Sequence, residues 1–127
     1  MNLIHRPSGA PGDRLGPYQI ESLISPADEA AGTVYRVRIE PRQTTAVSYH
    51  KIAEEYYFVI AGRGIAILDG RRVPLQPGDF LRLPPGCTHG FETQDECLEM
   101  LDIHTPGCRP DRDTYFVGDV PNGFTPR

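Results

Sequence analysis

At 127 residues the chain fits one domain, and a 39% hydrophobic share is that of a folded globular protein rather than a disordered one. The net charge is −4, with thirteen basic residues scattered among seventeen acidic ones, which excludes the clustered basic face of a nucleic-acid binder. Cys87, Cys97 and Cys108 cannot all pair and have no CxxC spacing, so neither a disulfide framework nor a thiolate zinc site is expected.

The first residues, MNLIHRPSGAPG, lack the apolar stretch of a secretory signal. No apolar run approaches the ~18 residues of a membrane helix. A cytoplasmic location without membrane contact is the expectation. Residues 1–17 carry Pro7, Gly9, Pro11, Gly12, Gly16 and Pro17 and read as an extended arm. His5 lies in this arm and is given no role. The segment PADEAAG at 26–32 is the single plausible helical turn.

From Val34 onward Tyr35, Val37 and Ile39 alternate with Arg36, Arg38 and Glu40, the pattern of a half-buried strand. Further strands are predicted at about 44–50, 55–61 and 65–68. Asp69-Gly70 is a strong hairpin turn, because glycine accepts the positive φ such turns require. Arg71-Arg72 reads as part of that solvated turn. Strands follow at about 71–75, 79–83, 88–93 and 97–104. About eight or nine strands spaced ~8–12 residues apart predict an all-β barrel or sandwich. The boundaries drawn are 1–33 for the arm and first edge segment, 34–105 for the barrel, and 106–127 for a closing loop and tail.

Parity places Ser48 and His50 on one face of a strand, and Glu55, Tyr57 and Val59 on one face of the next. A turn at 51–54 would set His50 across from Glu55. One imidazole and one carboxylate converging is a common start to a metal site. His89 follows LPPGCTH, whose Pro84, Pro85 and Gly86 stiffen the backbone before it, and is the best third ligand. Glu54 takes the opposite, solvated face. Tyr56 and Phe58 point outward and need cover. Phe91 shares the His89 face as core or pocket wall. Cys87 lies near the same face with no visible means of activation.

His104 is in phase with Met100 and Asp102. Cys97, Glu99, Leu101 and Ile103 form the other phase. Which of the two lines the cavity stays open, so His104 is either a pocket residue, as a fourth ligand or acid/base group, or one with a surface or structural role.

Two segments resemble the paired motifs of the cupins, G-x5-H-x-H-x3,4-E-x6-G and G-x5-P-x-G-x2-H-x3-N. The first is RQTTAVSYHKIAEEYYFVIAG, residues 42–62, with His50, Glu55 and Gly62 in place. The second is GDFLRLPPGCTHGFET, residues 78–93, with Gly78, Pro84, Gly86 and His89 in place. Arg42 stands where the family has glycine, Ser48 where it has its first metal histidine, and Thr93 where it has asparagine.

The resemblance implies an all-β, single cupin-type barrel (a double-stranded β-helix, or jelly roll) with an extended N-terminal arm. It implies a divalent transition metal (Fe, Mn, Ni or Zn) on His50, Glu55 and His89, with Ser48, Tyr57, Phe91 and His104 lining the pocket. Tyr57 is the first candidate for catalytic proton transfer. The implied function is a metal-dependent enzyme of dioxygenase, isomerase or lyase type acting on a small oxygen-bearing molecule. The alternative is a non-catalytic binder of a sugar or organic acid, with a structural or absent metal. A homodimer is also implied, with the arm reaching the partner barrel.

Overall fold

A computed structural model describes residues 3–6, 12–109 and 112–119. Eleven short strands and one 3-10 turn (Pro26–Asp28) make up its regular structure. The strands are β1 (Asp13–Leu15), β2 (Tyr18–Ser22), β3 (Thr33–Ile39), β4 (Ser48–Tyr49), β5 (Glu54–Gly62), β6 (Gly64–Leu68), β7 (Arg71–Leu75), β8 (Phe80–Leu83), β9 (His89–Glu92), β10 (Leu98–Thr105) and β11 (Tyr115–Phe116). They form two antiparallel sheets, ordered β1-β2-β3-β10-β5-β8 and β11-β4-β9-β6-β7. This is the all-β jelly roll the sequence predicts.

The alternation seen in the sequence decides what each strand buries. On β3, Tyr35, Val37 and Ile39 turn inward, and on β10 Leu98, Met100, Asp102 and His104 do. That resolves the phase left open for 97–104. On β5 the inward set is Glu55, Tyr57 and Val59, while Phe58 is 43% exposed and Tyr56 stacks on Phe80 at the outer face. Val59, Ala66, Leu75, Leu83, Phe91, Leu98 and Met100 fill the space between the sheets.

Two departures from the family motif have local explanations. Arg42 holds a left-handed φ of 60°, so an arginine has taken over a backbone position suited to glycine. Thr93 accepts from the Gln43 N–H at 2.9 Å and donates to the Glu40 carbonyl, tying two strand ends together as an amide side chain would. Gly62 is the opposite case: its φ is 79°, and a Cβ there would lie 1.7 Å from the Cys97 carbonyl oxygen, so no other residue fits.

The structure differs from expectation at the periphery. The arm predicted over 1–17 is in part a hairpin. Asp13–Leu15 folds back on Tyr18–Ser22 around Gly16, whose φ of 58° makes the tight turn. Gly16-Pro17 thus reverses the chain rather than only breaking regular structure. Residues 1–2 and 7–11 of the arm lie outside the described residues. The strand expected at 44–50 reduces to an isolated bridge at Thr44 and the two residues of β4. Arg71 and Arg72 open β7 after the Asp69-Gly70 turn, and Arg72 pairs with Glu92 at 2.7 Å. Among the described residues no helix is long and apolar enough to cross a membrane.

Candidate metal centre

Glu55 is the hub. It sits at the start of β5, 1% exposed, facing the space between the sheets. Three imidazoles reach it through the same ring atom. His50 Nε2 lies 3.1 Å and His89 Nε2 2.9 Å from Oε1, while His104 Nε2 lies 2.7 Å from Oε2. The structure thus brings together the three predicted ligand positions and adds His104 as a buried fourth group.

The outward nitrogens explain how the rings are aimed. His50 Nδ1 is 2.7 Å from the Asp113 carbonyl oxygen. His89 Nδ1 faces the Cys87 carbonyl at 3.4 Å. His104 Nδ1 is 3.2 Å from Thr33 Oγ1, which donates to the Cys108 carbonyl and accepts from the Cys108 N–H. With its one proton committed to the carbonyl, the Thr33 hydroxyl can only accept from His104. Each Nδ1 therefore carries its proton, and in a neutral imidazole each Nε2 presents a lone pair. Three lone pairs aimed at a buried carboxylate repel it unless a cation or extra protons intervene. Orientation of a ligating histidine through its other nitrogen is the usual outer support of a metal site.

Protons also act in that role. Burial pulls the His50 pKa down, but the hydrogen bonds and charges of Cys108 and Glu55 outweigh it and push the pKa up to about 11. Burial raises the Glu55 carboxyl, yet the charges of His104 and His89 and its hydrogen bonds hold it well below the usual carboxylate range. Asp102, one step deeper on β10, goes the other way: burial and the Glu55 charge push its carboxyl well above that range. Two neighbouring carboxyl groups in one desolvated pocket split in this manner, one ionised and one protonated. Asp102 Oδ1 is the one buried side-chain oxygen or nitrogen with no hydrogen-bond partner among the described residues.

The segment after β10 locks the site from outside. The Asp113 carboxylate accepts from the backbone N–H groups of Lys51, Ile52 and Ala53 at 2.9, 3.1 and 2.8 Å, fixing the turn between His50 and Glu55. The Gly86 N–H, in the Pro84-Pro85-Gly86 corner, donates to the His50 carbonyl at 2.7 Å. Cys108 is buried with Sγ 3.3 Å from His50 Nδ1.

A cavity of about 80 Å3 opens onto this cluster. Its walls include Ser48, Tyr57, Asp102 and His104, an aromatic and aliphatic side of Leu15, Tyr18, Ile20 and Tyr35, and Arg109 at the rim. Tyr57 is pushed well above its ordinary pKa, first by burial and then by the charges of Asp102 and Glu55, so it stays protonated. Phe91 is fully buried in edge-to-face contact with Tyr57 at 4.9 Å, in the core rather than among the lining residues. Burial raises the Cys87 thiol, and Cys87 does not line the cavity. Glu54 pairs with Arg82 on the outer face, and His5 with Glu21 at an exposed site.

Asp102, Cys108, Thr33 and Asp113 were not singled out from the sequence as site residues. Asp102 had a usable signal, since it shares the inward phase of His104. Cys108 and Asp113 had none, because a loop outside regular strands brings them in.

A family model for the cupin domain matches residues 35–104, more than half of the chain. Among curated proteins, quercetin 2,3-dioxygenase of Bacillus subtilis (strain 168) is 29% identical over 59 residues, which is 46% of this chain and 18% of that protein. The chain thus spans less than a fifth of that relative. Among solved structures, Streptomyces PAC13 with uridine superposes with a TM-score of 0.76 over 94% of each chain at 18% identity. PAC13 is described as a nucleoside dehydratase. A predicted oxalate decarboxylase from Thermotoga maritima superposes with a TM-score of 0.71 over 82% of this chain and 98% of that one at 20% identity. At such identities the likeness is one of fold.

Proposed function

The chain belongs to the cupin family, and from that premise we propose that it is a metal-dependent enzyme that moves protons on a small, oxygen-bearing molecule, in a reaction of isomerase or lyase type. The observation that carries this reading is the convergence of imidazole Nε2 atoms on Glu55 inside a cavity. His50, Glu55 and His89 would hold a divalent transition metal (Fe, Mn, Ni or Zn), a donor set of imidazole and carboxylate suited to those ions. Bound there, the ion supplies Lewis acidity toward a substrate oxygen.

The other groups supply positioning and protons. Asp102 offers an oxygen that has no hydrogen-bond partner among the described residues to a substrate hydroxyl, in a pocket that favours its protonated form. Tyr57, protonated beside it, donates a hydrogen bond and does not act as a base. Tyr18, Tyr35 and Ile20 cover one side of the cavity and limit water around the reacting groups. Proton-transfer chemistry is favoured over oxygenation because two proton-bearing side chains, Asp102 and Tyr57, line the same cavity as the proposed ligands.

The test is a screen of hydroxylated acids, sugars and nucleosides with the Mn(II)-, Ni(II)-, Zn(II)- and anaerobically Fe(II)-loaded chain. Solvent deuterium incorporation or loss of water is the readout. The reading expects turnover that needs the metal and drops by about 100-fold or more in Asp102→Asn, the scale of a lost general acid. Metal-dependent oxygen uptake with no deuterium exchange would replace it with a dioxygenase. Ligand binding without turnover would replace it with a non-catalytic binder.

A further inference from the structure

We propose that His104 is a fourth metal donor, placed on β10 in compensation for the serine at position 48 of β4. This rests on the metal reading above and adds a residue to it.

The register of the two sheets carries the inference. Ser48 and His89 are direct cross-strand partners on β4 and β9, in one sheet. Glu55 and His104 are direct cross-strand partners on β5 and β10, in the other. The cluster is therefore built from two facing pairs, with His50 next to the first. In the first pair Ser48 offers only a short hydroxyl. In the second, His104 brings Nε2 to 2.7 Å from Glu55 Oε2, the shortest of the three imidazole contacts to this carboxylate. Three imidazoles thus surround one carboxylate, His50 and His89 at Oε1 and His104 at Oε2.

The ring is prepared for that role. It is 5% exposed, so it has no solvent to turn toward. Its Nδ1 meets Thr33 Oγ1, which donates to the Cys108 carbonyl, so Nε2 is held facing Glu55. Its face packs at 4.9 Å and 85° against the His50 ring. A structural histidine would be held by a donor on one side and an acceptor on the other. His104 instead has an oxygen on each side, Thr33 Oγ1 at Nδ1 and Glu55 Oε2 at Nε2, so a proton or a cation must lie between Nε2 and the carboxylate.

Cys108 and Asp102 also come within ligand range of His104, and both are turned elsewhere. Cys108 Sγ lies near the outward Nδ1 of His50 and contacts the Arg112 carbonyl at 3.1 Å, so it is directed at the closing loop. Asp102 Oδ1 stands 4.0 Å from His104 Nε2, one step deeper along β10.

Cu(II) added to the metal-free native chain and to His104→Ala tests the assignment, with pulsed EPR counting coordinated imidazoles and chelator competition measuring affinity. The expected result is three imidazoles in the native chain and two in His104→Ala, with affinity reduced by about 100-fold or more, beyond the usual effect of an outer-shell change. Adding Ser48→His to His104→Ala returns the third imidazole, because that side chain projects from the strand partner of His89. The same imidazole count in native and His104→Ala protein overturns the proposal. Failure of the native chain to bind Cu(II) would instead remove the metal reading on which the proposal stands.

Discussion

The two ends of the barrel interior are built from the same strands and have opposite chemistry. Toward one end β5 contributes Val59, β9 Phe91, and β10 Leu98 and Met100. Toward the other end the same three strands contribute Glu55, His89, and Asp102 with His104. The apolar end stabilises the fold through burial, at roughly 25 cal/mol per Å2 of apolar surface. The polar end is just as buried yet holds carboxyl groups and imidazoles whose desolvation opposes folding. Evenly spaced strands can carry such a site because the apolar half of each one anchors it.

The sharpest way to break this comparison is to damage the apolar end. Phe91→Ala removes a fully buried ring and should cost about 3–5 kcal/mol in a urea or guanidinium unfolding curve. A cost below about 1 kcal/mol would mean that the core does not anchor the barrel.

Next comes the pH dependence of the polar end. His50 holds its proton more tightly in the folded chain, with a pKa of about 11, than at its ordinary value of 6.5. That stabilisation is complete below about pH 6.5 and is lost as pH rises toward 11. Glu55, held low, contributes stability above the ordinary carboxylate range that is lost on acidification. The melting temperature of the metal-free chain should therefore fall on the alkaline side, and His50→Gln should flatten that fall. An unchanged alkaline slope in His50→Gln would remove the imidazolium from the account.

A smaller step should follow from the closing loop. Asp113→Ala removes the acceptor of three backbone N–H groups and should cost about 1–2 kcal/mol, comparable with loss of a helix cap. The Asp113 carboxyl is raised by burial but held lower overall by those N–H groups, so the difference from native protein should shrink as pH drops below its ordinary value of 3.8. Smallest of all, Arg82→Ala on the outer face should leave stability unchanged within error, since its pair with Glu54 is exposed. A clear loss there would show that outer-face pairs matter more than the interior contrast allows.

How much of this was legible in the sequence follows the same division. The barrel was legible because Gly62, the Asp69-Gly70 turn and the Pro84–Gly86 corner are local signals with local causes. The inward parity of Glu55 and Tyr57 was legible for the same reason. The choice between the two phases of 97–104 was not, because Leu98, Met100, Asp102 and His104 are no more apolar as a set than Cys97, Glu99, Leu101 and Ile103. Pairing with β3 and β5 decides it. The parts of the site set by long-range contact were also hidden. Thr33 reaches His104 across 71 residues and Asp113 reaches His50 across 63, with no periodicity to announce either. The short β1–β2 hairpin was obscured because its glycine and proline look the same in a turn as in a loose arm.

The proposed metal site requires that the polar end be built around a cation. Metal analysis of the native chain purified without chelators and reloaded with Fe(II), Mn(II), Ni(II) or Zn(II), beside Glu55→Gln treated identically, tests it most directly. About one tightly held ion per native chain is expected, with loss of retention in the variant, whose neutral amide cannot balance the charge. Metal on fewer than about a tenth of native chains, or equal retention in Glu55→Gln, would contradict it.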